Sequence, residues 1–139
     1  MTIKLIASDI DGTFLDDQHE FDRQRFQEQL DEMNHRGIHF VVSSGNQYQH
    51  CLRVMDGING DLTYVVEDGG LVVENDQVLD SSPIEPELWQ SVVASMASKL
   101  VLANGVIVLS GQKGAYTNVT NSTETWGRTR YFYEMLTHS

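Results

Sequence analysis

Residues Ile3 to Leu15 read IKLIASDIDGTFL. Ile3, Leu5, Ile6 and Ala7 are apolar on both faces of an extended chain, which predicts a buried strand. The run ends on two acids one position apart, Asp9 and Asp11. Gly12 then breaks the strand and turns the chain out of the sheet. Two carboxylates are thereby expected at the carboxyl end of a central strand, where open α/β sheets place their ligands. Side chains at i and i+2 of a strand point the same way, so Asp9 and Asp11 are expected to face one site.

Working outward, Asp16 to Glu20 is polar and turn-like. Phe26, Leu30 and Met33 recur at helical spacing among charged residues, which predicts a surface helix over 22–36. Asp22 is its expected N-cap and Gly37 its stop. Ile38 to Ser43 (IHFVVS) is rich in β-branched residues and reads as a second strand. It ends in Ser43-Ser44-Gly45-Asn46, before a helix expected to align Tyr48, Leu52 and Met55 on one face. A β–α–β run of this length implies a right-handed crossover and a parallel sheet. A helix start behind the serines favours anions. Thr63 to Glu67 reads as a third strand, followed by a tight turn at Glu67-Asp68-Gly69-Gly70. Leu71–Val73 and Gln77–Leu79 flank Glu74-Asn75-Asp76 as a small hairpin.

Both prolines fall between Ser81 and Pro86, and a domain boundary is expected near residue 82, dividing 1–82 from 83–139. Beyond it the pattern predicts a helix over 87–103, strands over 106–110 and 115–119, and a helix over 126–136. Leu88, Val92, Met96 and Leu100 line up on the first of these helices.

The chain has 139 residues, 40% of them apolar, which suits a core. Its formal charge of −11 argues against nucleic acid and against anionic membrane surfaces as partners. Phosphate esters remain compatible, because a bound cation can supply local positive charge. The single Cys51 cannot form an internal disulfide and fits a reducing compartment, so a cytoplasmic location is expected. No apolar run approaches the ~20 residues of a membrane span. The five histidines show no metal-ligand spacing.

Asp9-Ile10-Asp11-Gly12-Thr13 resembles the DxDGT signature of the haloacid dehalogenase superfamily of phosphohydrolases, and in particular its Cof-type, sugar-phosphatase branch. The resemblance implies a Rossmann-like α/β core, of which three parallel strands are present, followed by the first part of an α/β cap domain. It makes Asp9 the nucleophile that forms an aspartyl-phosphate. It makes Asp11 the acid that protonates the leaving oxygen and then the base that activates water. The implied cofactor is Mg2+, held by the Asp9 carboxylate, the backbone carbonyl of Asp11 and a further Asp downstream. Ser44 matches the hydroxyl residue of the family's second motif. Phosphate contacts are therefore expected from Ser44 and Gly45, with Gly12 letting the backbone come close. Asn46 stands where Cof-type members often carry Arg, which keeps hydrogen bonding and loses a charge. Glu67-Asp68-Gly69 resembles the family's E-N-G segment, so Asp68 is expected near the substrate.

The implied function is hydrolysis of a small phosphorylated metabolite. After Val119 the sequence has no Lys and no Asp, so the family's third and fourth motifs are not matched. Two expectations follow. The chain alone should turn over little or not at all. The strand bearing Asp9 should become an uncovered sheet edge, which invites self-association. A non-catalytic chain that binds Mg2+ or phosphate weakly, or only associates, is the alternative. A receiver-like phosphoacceptor, whose accepting acid at the end of the third strand would be Asp68, is disfavoured because the companion acids expected at the end of the first strand do not have that spacing.

Overall fold

A computed structural model describes residues 2–103 and 107–117 of the chain. The chain divides into two compact units, Met1–Ser81 and Ser82–Ser139. The first unit holds a five-stranded sheet: β1 (Leu5–Ser8), β2 (His39–Ser43), β3 (Leu62–Val66), β4 (Leu71–Glu74) and β5 (Gln77–Ser81), in that spatial order. β1, β2 and β3 run parallel, with Ala7 opposite Val41 and Val41 opposite Thr63. β4 and β5 are antiparallel additions beside β3. The parallel strands are joined through α1 (Arg23–His35) and α2 (Tyr48–Val54).

Local chemistry accounts for α1. The Asp22 carboxylate accepts from the Arg25 N–H at 2.9 Å and caps the first turn. Phe26 and Leu30 are buried one turn apart. At the other end Gly37 takes φ +65°, its N–H reaches the Asn34 carbonyl, and the Ile38 N–H reaches the Met33 carbonyl. Those two bonds form a Schellman motif, which satisfies carbonyls that the helix leaves open. The β4–β5 hairpin has a two-residue turn, with Asn75 and Asp76 at φ +48° and +60°. That is the primed geometry that matches strand twist.

Phe26 and Leu30 of α1, Phe40 and Val42 of β2, and Leu62, Tyr64 and Val66 of β3 belong to one buried cluster. Phe14, Phe21, Phe26 and Phe40 pack ring against ring, at centroid distances of 4.7, 4.8 and 5.1 Å for successive close pairs. Tilted and edge-to-face contacts of this kind add to area burial.

Two expectations are corrected here. β1 is not buried on both faces: Leu5 is 57% exposed and Ile6 38%. It pairs only with β2 among the described residues, so it forms the sheet's edge. An apolar run reports the capacity for burial, but neighbours decide whether burial happens. Secondly, α2 does not bury Tyr48, Leu52 and Met55 as one face. Gln47, His50, Cys51 and Met55 are buried, while Leu52 is exposed. The buried set has the regular helical period, but polar Gln47 and His50 occupy two of its places and hid it.

The second unit contains α3 (Pro86–Ala103) and a hairpin of β6 (Leu109–Gly111) and β7 (Gly114–Tyr116). Pro86 takes the first helical position, where its missing N–H costs nothing. Of the expected strands over 106–110 and 115–119, the first begins only at Leu109 and runs on to Gly111, the second begins at Gly114, and residues 106, 118 and 119 lie outside the described residues. The expected helix over 126–136 lies outside the described residues. Among the described residues no helix is long and apolar enough to cross a membrane.

Candidate active site

The carboxyl ends of β1, β2 and β3 lie at one edge of the sheet, and each delivers polar groups there. Asp9 continues β1 in extended conformation, with φ −69° and ψ 156°. The chain then makes a wide turn over Ile10–Phe14, closed by the Leu15 N–H donating to the Ile10 carbonyl at 3.0 Å. Ile10 is buried and anchors this turn in the core. Asp11 and Gly12, at φ −76° and +72°, lie inside it. The strand therefore ends before the two acids, and strand alternation does not place Asp11. A bond from elsewhere does.

That bond comes from the end of β2. The Asn46 Nδ2 donates to the Asp11 Oδ2 at 2.5 Å, across 35 residues of sequence. The Asn46 N–H donates to the Ser44 Oγ at 3.1 Å, which shapes the loop. The Ser44 N–H donates to the Val65 carbonyl at 2.9 Å, and the Glu67 N–H donates to the Asn46 carbonyl at 3.1 Å. The loop after β2 is thus laced to the ends of both neighbouring strands.

The end of β3 adds Glu67 and Asp68, both left-handed at φ +54° and +55°. Such backbone in consecutive non-glycine residues stores strain, on the order of 1–3 kcal/mol each. Asp68 packs against Gly45 so closely that a Cβ there would lie 2.5 Å from its Oδ1. Position 45 accepts only glycine without displacing Asp68.

Asp9, Ser43, Ser44, Gly45, Asp68 and Gly69 line a common depression of about 320 Å³. Of the residues singled out from sequence, Asp9, Ser44 and Gly45 are brought together here. Asp11 is tied in beside them through Asn46, and Gly12 sits in the exposed turn. Ser44 is buried, and its hydroxyl also engages the fully buried Cys51. The Cys51 thiol is pushed up to about 12, by burial most of all and by the Asp11 and Glu67 charges, against a lowering by the Ser44 hydrogen bond. Cys51 is a neutral packing residue here, not a nucleophile. Asn46 is the site residue whose part sequence reading missed. Its only signal was its departure from the Arg that Cof-type members often carry at this place, which names no partner.

The depression carries two carboxylates, Asp9 and Asp68, and no cationic lining residue. Among the described residues no three His, Cys, Asp or Glu side chains gather into a metal-binding group. The Asp9 carboxylate and the Asp11 carbonyl are hard oxygen donors. Mg2+ is commonly held by one or two carboxylates with water completing its shell, so this donor set fits a lightly held Mg2+.

Comparison with known proteins identifies the family. A family model described as haloacid dehalogenase-like hydrolase matches residues 6–137. The chain belongs to that family, within its Cof-type branch. It is 37% identical over 117 residues to the 5-amino-6-(5-phospho-D-ribitylamino)uracil phosphatase YbjI of Escherichia coli (strain K12), covering 84% of this chain and 42% of that protein. Among solved structures, SMU.1108c from Streptococcus mutans UA159 superposes with a TM-score of 0.83 at 30% identity, over 96% of this chain and 50% of that one. BT1666 from Bacteroides thetaiotaomicron shares the fold, with a TM-score of 0.68 at 19% identity over 98% and 50%. The chain thus spans half or less of the length of these relatives.

Proposed function

We propose that the protein hydrolyses small phosphomonoesters through a phosphorylated Asp9. The observation that carries this reading is the shared depression of Asp9 and Ser44 at the carboxyl edge of three parallel strands, with Asp11 held beside it. Asp9 attacks phosphorus, and the ester P–O bond breaks as Asp11 gives its proton to the leaving oxygen. Water then attacks the aspartyl-phosphate while Asp11 takes back a proton, releasing phosphate and restoring both acids. The Ser44 hydroxyl and the backbone around Gly45 hold phosphoryl oxygens during both transfers. The Asp9 carboxylate and the Asp11 carbonyl would hold Mg2+, which would supply positive charge that neither acid nor lining residue provides. The Escherichia coli relative is a phosphatase of a phosphorylated ribitylaminouracil, which supports a small phosphorylated metabolite as substrate.

The test is to expose the chain to phosphate esters with Mg2+ and locate the phosphorylated residue by mass spectrometry. Phosphate on Asp9, lost in Asp9→Asn, supports the reading; phosphate on Asp68 would replace it with a receiver-like one.

A separate observation bears on assembly. The outer edge of β1 is unpaired among the described residues, and its apolar side chains are exposed. We infer that the 139-residue chain self-associates through this edge. A concentration-independent monomer in sedimentation would sink that inference.

A further inference from the structure

Asn46 has three hydrogen bonds, one to the end of each parallel strand's neighbourhood. Its N–H goes to Ser44 after β2, its carbonyl accepts from Glu67 after β3, and its side chain reaches Asp11 after β1. The first two fix its backbone on both sides of the α-carbon. The side-chain amide is therefore presented from a clamped support. Asp11, by contrast, sits in a wide turn at non-helical angles, between exposed Gly12 and buried Ile10. The bond to Asn46 is what fixes the Asp11 carboxyl within that turn.

We infer that Asn46 is a positioning residue for Asp11. It occupies Oδ2 as an acceptor and so assigns the transferable proton to Oδ1. An ionised carboxylate only accepts, so the amide nitrogen rather than its oxygen must face it. A neutral amide orients the carboxyl without becoming a fixed counter-charge. That suits a group that must be an acid in one half-reaction and a base in the next. This inference rests on the acid–base reading of Asp11 proposed above. The step concerned is balanced as stated there. The P–O ester bond breaks, the electron pair stays on the leaving oxygen, and the Asp11 proton neutralises it.

Leaving-group dependence separates positioning from a merely structural role. A 2,4-dinitrophenolate leaves without a proton, whereas an alkoxide needs one. The full chain is assayed with Mg2+ under single-turnover conditions, in excess over either an alkyl phosphate or 2,4-dinitrophenyl phosphate. Only the first phosphoryl transfer is then read. Positioned acid–base groups contribute about 10²–10⁴-fold, and a misaligned one forfeits part of that. Asn46→Ala is expected to slow the alkyl ester by roughly 10–100-fold and the dinitrophenyl ester by less than about threefold. Asn46→Asp keeps the shape and the backbone bonds but presents an acceptor, and is expected to show the same selectivity. Equal losses on both esters, or no loss, overturn the inference.

Asp11→Asn is the reference. If it shows no leaving-group selectivity, the acid–base reading itself fails. If it does and Asn46→Ala does not, only the present inference fails. A readout free of turnover accompanies these. In 15N-resolved proton spectra the two Asn46 side-chain amide protons should be separated more widely than those of an unbonded primary amide, and the separation should shrink in Asp11→Ala. An Asn46 amide pair that ignores Asp11→Ala overturns the inference even where turnover is too slow to follow.

Discussion

β1 and β3 are short parallel strands with similar apolar content, yet they play different parts. β3 lies between β2 and β4, and Leu62, Tyr64 and Val66 are buried along it. β1 has β2 on one side only, and none of Leu5, Ile6 and Ala7 is buried. Burial of apolar area stabilises by roughly 25 cal/mol per Å², so β3 contributes to the fold what β1 does not. The chemistry is distributed the other way round. Asp9 and Asp11 follow the strand of the two that contributes less to the core. On the proposed function, stability and reactivity are expected to be separated along the sheet, so that each can be removed without the other.

The largest effect expected is on rate. Asp9→Asn should lower phosphoryl transfer by at least ~10⁴-fold, as removal of a nucleophile does. Because Asp9 is exposed, unfolding free energy should stay within about 0.5 kcal/mol of the parent. A stability loss well beyond that in urea melts would break the separation. On the other strand, Val66→Ala should cost about 2–3 kcal/mol, since Val66 is fully buried. Leu5→Ala, at 57% exposure, should cost less than about 0.5 kcal/mol. Similar costs in the two urea curves would mean that β1 is covered in solution.

A third prediction uses Cys51, which lies in the same buried cluster as Val66. Its native thiol is raised from 9.0 to about 12, so it stays protonated while an unfolded thiol ionises. The unfolded state then binds fewer protons, and stability falls as pH rises. The contribution is fully present below pH 9.0 and lost progressively between 9.0 and about 12. The limiting slope is about 1.4 kcal/mol per pH unit. Tyr48 and Tyr64, both raised by burial from 10.0, begin to add their own losses as pH approaches 10, so urea stability is measured from pH 8 to about 9.5. Cys51→Ala should flatten the curve over that window, and an unchanged slope would refute the assignment. The smallest effect belongs to the edge. Ile6→Lys should lower the weight-average mass in sedimentation while changing unfolding free energy by no more than about 0.5 kcal/mol. Unchanged mass would place association elsewhere.

Helix α1 was legible almost to the residue, because Asp22, Phe26, Leu30 and Gly37 act through bonds and contacts within one or two turns. β2, β3 and the hairpin were legible for the same reason: alternation and turn chemistry are local. The Asp9–Gly12 signature and Ser44 carried the family and the candidate residues. Asn46 was legible only as a departure from a motif. Its partner, Asp11, lies 35 residues away, and no local pattern reports so distant a pairing.

The sequence by itself determined the elements, the turn residues and the set of side chains available for chemistry. These depend on short-range sterics and hydrogen bonding, which each residue carries with it. Only the tertiary structure decided that Gln47 and His50 are buried around α2 rather than Leu52, and that Asp11 is held by Asn46 instead of by strand alternation. Those outcomes depend on which strands lie side by side, and burial and long-range hydrogen bonds exist only once the chain ends of β1, β2 and β3 have met.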